Sequence, residues 1–135
     1  MAKKKVLVVD DSFVMRTLIK DIVSADPDLE VVGDAANGKI ALEAAKKLNP
    51  NVILLDIEMP EMDGLECLKR LKLLSAAKVI IISSVAQTGS PQALQARRDG
   101  AVDVIAKPSG AMSLDLAAKK GHEIVKAVRR AAGLS

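Results

Sequence analysis

The chain has 135 residues, the length of one domain, with half of them apolar and one aromatic, Phe13. A core must therefore be built from Val, Ile, Leu, Met and Ala, and stacking of bases on aromatic rings is excluded as a binding mode. One cysteine (Cys67) and one histidine (His122) exclude an internal disulfide, a thiolate cluster and a multi-histidine zinc site. Of the net charge of +3, all falls in residues 109–135, where Lys119, Lys120, Lys126, Arg129 and Arg130 face Asp115 and Glu123. So small a surplus reads as a solvated helix face, and neither nucleic acid nor membrane is expected as a partner.

No stretch approaches the ~20 apolar residues of a membrane span. The N-terminal Lys3-Lys4-Lys5 and Val6–Val9 are cut short by Asp10-Asp11, so they do not make a signal peptide. A reduced, cytoplasmic setting is the expectation.

Five short runs read as strands: Val6–Asp10, Glu30–Gly33, Val52–Asp56, Val79–Ser83 and Val102–Ala106. Four are almost continuously apolar, as strands covered on both faces are. Each gap has room for one helix. Val14, Leu18 and Ile22, with Met15, Ile19 and Val23, give the first an apolar face. Ile40, Ala41, Ala44, Ala45 and Leu48 give the second. Leu65, Leu68, Leu71 and Leu74 give the third. A weaker fourth spans Gln92–Asp99, with Ala93, Leu94 and Ala96. The last runs from Met112 to about Ala132, with Gly121 as its weak point. Asp11/Ser12, Asn37, Asp63, Thr88/Ser90 and Ser113 suit helix starts, and Asn49-Pro50 and Gly100 suit stops. Five βα units without a hairpin signal imply an α/β fold, an open parallel sheet with helices on both faces.

In such folds ligands sit beyond the carboxyl ends of the strands. Strand one ends in Asp10-Asp11, strand three in Asp56, strand four in Ser83 and strand five in Ala106-Lys107-Pro108. Strand two ends in Gly33 and brings no charge. Three crowded carboxylates repel, which is relieved by protonating one or by binding a cation. All-oxygen ligands favour a hard ion, Mg²⁺ first. Metal, the Lys107 ammonium and the Ser83 hydroxyl would together suit a phosphoryl group, with Asp56 as nucleophile and Asp10 and Asp11 as metal holders. Each residue alone has a plainer role: Asp11 as helix cap, Ser83 as turn residue, Lys107 as solvated charge.

Gly33–Lys39 matches G-x-x-x-x-G-K, but Ile40 stands where a nucleotide-binding loop needs Ser or Thr. Asp56-Ile57-Glu58 is partly like an aspartyl phosphatase of small phosphate esters, although Glu stands where the acid Asp belongs. That phosphatase is the alternative function; a third is a binding or dimerisation module. Cys67 reads as a small buried hydrophobe and His122 carries no chemistry.

Val8-Val9-Asp10-Asp11-Ser12, Asp56 through Gly64, Ile82-Ser83-Ser84, Gly100-Ala101 and Lys107-Pro108 together resemble a bacterial two-component response-regulator receiver domain, over about residues 4–130. The resemblance implies a flavodoxin-like (βα)5 fold with strand order 2-1-3-4-5. It implies that Asp56 accepts a phosphoryl group from a phosphohistidine of a sensor histidine kinase. Asp10, Asp11, Asp56 and the Glu58 backbone carbonyl would bind Mg²⁺, Ser83 and Lys107 would contact the phosphoryl oxygens, and the Lys107-Pro108 bond would be cis. An output domain or target protein would read the switch. Family members often carry Tyr or Phe where this chain has Val104, so a swinging ring is not expected here.

Asp-Ser-Phe-Val-Met-Arg at 11–16, Met-Pro-Glu-Met-Asp-Gly-Leu at 59–65 and Lys-Pro-Ser-Gly at 107–110 are similar to the regulatory domain of chemotaxis protein-glutamate methylesterases. No G-x-S-x-G-like element is present, so no chemistry beyond phosphorylation and dephosphorylation of the chain itself is expected. The chain reads as a single receiver over 1–135, either excised from a longer protein or standing alone.

Overall fold

The computed structural model describes residues 3–57, 59, 62–83, 90–106 and 113–134, with their side chains except at 83 and 113–119. Five strands, β1 (Lys4–Val9), β2 (Leu29–Ala35), β3 (Val52–Leu55), β4 (Lys78–Ser83) and β5 (Asp103–Ala106), alternate with five helices: α1 (Phe13–Ser24), α2 (Gly38–Leu48), α3 (Gly64–Leu74), α4 (Pro91–Arg98) and α5 (Ser113–Ala131). All strand pairs are parallel and the order is β2-β1-β3-β4-β5. This is the flavodoxin-like arrangement.

The continuous apolar runs are explained by two cores. Because side chains alternate along a strand, Leu7, Val9, Ile53, Leu55, Val79, Ile81 and Val104 pack on one face with Ala41, Ala45, Cys67, Leu68 and Leu71. Val6, Val8, Val52, Leu54, Ile80, Ile82 and Ile105 pack on the other with Ile19, Val23, Ile124 and Val128. Burial pushes the Cys67 thiol up to about 11, so it remains a protonated packing group.

Side chains fix the helix starts. Ser12, Asn37, Asp63 and Ser90 each accept from the backbone N–H three residues on. Asn49, in the left-handed region at φ 49°, closes α2 before Pro50. Helical period alone misplaces the edges of the apolar faces. Val14 is 57% exposed, and Ile40 and Leu94 are also exposed. The α1 stripe that is fully covered is Ile19 and Val23, with Met15, Leu18 and Ile22 partly covered.

β2 runs two residues past Gly33. The register against β1 slips between Val6↔Val31 and Leu7↔Gly33, so Val32 is an extra residue, a bulge. Gly33 is thus a strand glycine, not a stop. A Cβ there would come 2.8 Å from Leu48 Cδ1. The bulge leaves Asp34 and Ala35 opposite Val8 and Val9.

α5 passes through Gly121 without a break. Among the described residues, a Cβ at 121 would touch only Ile22, at an ordinary 3.9 Å. Gly121→Ala is therefore expected to stabilise the fold by about 0.5–1 kcal/mol, through lower backbone entropy of the unfolded chain. Urea unfolding of the two proteins measures it; an unchanged or lower midpoint contradicts it.

The far end of α5 is tied to the chain before β2. Arg129 Nη1 lies 2.9 Å from both Asp26 carboxylate oxygens and 2.9 Å from Asp28 Oδ2. Asp26 Oδ1 also accepts from the Asp28 N–H at 2.8 Å. That N–H, opposed by burial and then helped by Arg129, holds the Asp26 carboxyl below its ordinary value. A lowered folded-state pKa stabilises above the unfolded value, and the contribution is lost as pH falls through the folded one. Asp26→Asn should therefore lower stability at neutral pH and flatten its fall below about pH 4. Urea titrations at pH 7 and in acid compare the two slopes; equal slopes contradict it.

Candidate functional site

β1 and β3 are neighbours although three elements, α1, β2 and α2, separate them in sequence. Their register pairs Val9 with Leu55, which puts Asp10 and Asp56 side by side just past the strand ends. The ladders continue to them. The Asp10 N–H donates to Ala35 O at 3.1 Å and the Asp56 N–H to Val9 O at 3.0 Å. Main chain therefore fixes where both carboxylates emerge.

Asp10, Asp11 and Asp56 each place a carboxylate oxygen within 4.8 Å of the others. Asp10 and Asp56 are the two buried charged residues among those described, and Asp11 is exposed. The site is thus a shallow acidic notch, with two acids in the wall and one at the rim. Asp10 Oδ1 accepts from the Ser12 N–H at 2.9 Å, and Ser12 in turn caps α1. One short turn thereby orients a metal-type ligand and starts a helix.

The donor set fits a hard divalent cation. It offers carboxylate oxygens only, with no sulfur or imidazole, converging within 4.8 Å of one another. Such an ion keeps several waters, for which the exposed rim at Asp11 leaves access. No other group of three or more acidic, His or Cys side chains converges in this way among the described residues.

Gly64, at the start of α3, packs closely against the backbone that follows β3. The Gly64 N–H donates to Ile57 O at 2.7 Å. A Cβ on Gly64 would lie 2.5 Å from Ile57 Cα and press on the Asp56 carbonyl. β4 and β5 end at the same edge, with Ser83 paired to Ala106. The Ser83 side chain, Glu58, Ser84, Thr88 and the Lys107-Pro108 bond lie outside the described residues.

Two neighbours of the notch carried no role in the sequence. Asp34, beyond the glycine that looked like the end of β2, brings a charge to this edge. Its Oδ2 is 2.9 Å from Arg16 Nε and 3.4 Å from Lys20 Nζ. Arg16 lies inside the Asp-Ser-Phe-Val-Met-Arg motif, and its Nη1 donates to the Asp10 carbonyl at 2.9 Å. The signal available was its place on the first turns of α1, facing the strand ends.

A family model described as response regulator receiver domain matches residues 6–130. The protein-glutamate methylesterase/protein-glutamine glutaminase 1 of Syntrophomonas wolfei is 50% identical over 135 residues, covering 100% of this chain and 38% of that protein. The chain thus spans little more than a third of that relative's length. The crystal structure of the response regulator domain of Thermotoga maritima CheB is 41% identical, covers 98% of each chain and superposes with a TM-score of 0.92. A chain of the CheX–CheY–BeF3–Mg²⁺ complex from Borrelia burgdorferi is 29% identical, covering 94% of this chain and 90% of that one, with a TM-score of 0.75. The aspartyl phosphatase alternative finds no support in these likenesses.

Proposed function

Because this chain belongs to the family of response regulator receiver domains, we propose that Asp56 is its phosphoacceptor and that Asp10, Asp11 and Asp56 hold the Mg²⁺ the transfer needs. The chain is a regulatory, two-component signalling domain of the kind found in chemotaxis methylesterases. Receiver domains engage the phosphotransfer domains of histidine kinases, and a sensor histidine kinase is the donor in this reading. Residues 1–135 act as one receiver unit in the cytoplasm, upstream of an output domain or target protein in chemotaxis. The chain's own chemistry is confined to gaining and losing its phosphoryl group.

The observation that carries this reading is the convergence of three carboxylates at one sheet edge, two of them anchored by main-chain ladders. An Asp56 carboxylate oxygen attacks phosphorus in line, the donor's P–N bond breaks, and the imidazole leaves with the bonding electron pair and takes up a proton from water. The product is an aspartyl phosphate. Mg²⁺, when bound, offsets the charge that gathers on the transferring oxygens. Asp10 is oriented for its role by the Ser12 N–H. The Glu58 carbonyl would complete the metal ligands, and Ser83 and Lys107 would take the phosphoryl oxygens. Loss of the group is attack by water on phosphorus. Its presence adds about one negative charge and three acceptor oxygens, which pull on the loops after β4 and β5. Val104 is buried in the core, so switching proceeds without a swinging aromatic ring.

Incubation with acetyl phosphate and MgCl2 tests the reading. Intact-mass spectrometry should show a gain of one phosphoryl group, absent with EDTA and absent in Asp56→Asn. A gain that persists in Asp56→Asn would assign the acceptor elsewhere.

A further inference from the structure

We infer that Arg16 is a positioning residue for the acidic notch: its guanidinium ties the Asp10–Asp11 turn to Asp34 on the neighbouring strand, and so presets the carboxylates for the metal. The inference rests on the reading of the notch as a Mg²⁺ site.

Arg16 is the first cation after Asp10 in the sequence, and it does not simply dangle into water. Its side chain is 14% exposed. Nη1 donates to the Asp10 main-chain carbonyl at 2.9 Å, and Nε donates to Asp34 Oδ2 at 2.9 Å. The guanidinium carbon lies 5.7 Å from the centroid of the Phe13 ring, within cation–π range. Three contacts from three parts of the chain thus define one planar group. A guanidinium holds such a fork because its donors are fixed in a plane.

The two ends of the fork matter differently. Asp34 stands at this edge only because the β2 bulge carries the strand past Gly33. It is shared with Lys20 at 3.4 Å, and its charge offsets that of Arg16. The other end grips a backbone carbonyl, where no charge is gained but the chain direction is set. Asp10 N–H to Ala35 O, Arg16 to Asp10 O and Ser12 N–H to Asp10 Oδ1 bracket one residue on both sides. Without Arg16 the turn keeps its two strand bonds and its cap but loses the tie on the carbonyl side. The carboxylates then pay ordering entropy when a cation arrives.

The sign of the effect separates positioning from charge. A cation beside three carboxylates disfavours Mg²⁺, so an Arg16 that acted only through its charge would, on removal, tighten binding. A positioning Arg16 does the opposite. Titration of the full chain with MgCl2 by calorimetry is compared for the native sequence, Arg16→Met and Arg16→Lys. The methionine keeps the apolar stem and loses all donors, and the lysine keeps the charge and its donors on one nitrogen without the planar fork. The Mg²⁺ dissociation constant is expected to rise at least threefold in Arg16→Met and less in Arg16→Lys. In metal-free protein, exchange of the Ser12 amide should speed up in Arg16→Met relative to core amides of β1 and β3, a local change that a global loss of stability would not give. Should Arg16→Met fail to fold, Arg16→Lys and Asp34→Asn carry the comparison, and both are expected to weaken Mg²⁺ and loosen the Ser12 amide. Binding that is unchanged or tighter in the folded variants overturns the inference while leaving the metal site intact. No binding by the native sequence overturns both together.

Discussion

Gly64→Ala should be among the most damaging single-methyl additions in this protein. The added Cβ meets Ile57 Cα at 2.5 Å and the Asp56 carbonyl closer still. Both are main-chain atoms, so no rotamer change relieves the clash. Overpacking a core costs about 1–3 kcal/mol when side chains can yield; here the upper end, about 3 kcal/mol, is the expectation. The damage is also directed. The Gly64 N–H closes the loop after β3 on Ile57 O at 2.7 Å, and Asp63 caps α3 through the Glu66 N–H at 2.9 Å. If the loop gives way, it moves the backbone that carries Asp56. If α3 gives way, Cys67, Leu68 and Leu71 lose their packing. Urea unfolding should show a large drop in midpoint, and acetyl phosphate labelling of the remaining folded protein should slow at least tenfold. The contrast with Gly121→Ala is the control, since the same chemical change there meets open packing and should stabilise. A Gly64→Ala protein with the native midpoint and labelling rate would mean that the close packing of Gly64 against the Asp56–Ile57 backbone does not govern the site.

The sheet was legible because both of its faces are covered. Runs such as Val52–Leu55 and Val79–Ile82 need apolar residues at every position, and that density sets them apart from the helices. The three carboxylates were legible because a charge at the end of such a run has only one place to go. The helix faces were legible in kind but not at their margins. Val14 and Ile40 satisfy the helical period, yet they fall on the flank of the stripe that faces the sheet, and period alone does not fix how wide that stripe is. Gly33 misled because glycine marks both strand ends and strand bulges, and only the pairing with β1 decides between them. Arg16 and Asp34 are 18 residues apart and meet across the β1–β2 junction, so neither the bulge nor the pair can be read from local pattern. The Gly64 contact hides for the same reason: it depends on the path of a loop, not on the identity of its residues.

Asp11→Asn should raise stability without metal and lose that advantage when metal is present. Three carboxylate oxygens lie within 4.8 Å of one another. Two unit charges at that distance repel by about 3 kcal/mol at an effective dielectric constant of ~20. Asp11 faces water, so screening brings its share down to roughly 1 kcal/mol. In EDTA the asparagine variant should therefore unfold at a higher urea concentration than the native sequence, since it sheds repulsion and keeps both strand-anchored acids. In MgCl2 the order narrows or reverses. A cation that binds the folded state at ten times its dissociation constant adds about 1.4 kcal/mol. Loss of one of three charged ligands should weaken binding at least tenfold, so the variant forfeits most of that gain. Asp11 is the right position for the experiment because its side chain is the exposed one of the three, and its replacement disturbs neither the Asp10–Ser12 turn bond nor the Asp56 ladder. A notch that exists to bind a cation predicts this metal-dependent loss of the variant's advantage. A notch whose acids served only to cap helices would give a variant whose stability is indifferent to Mg²⁺ in the same measure as the native chain.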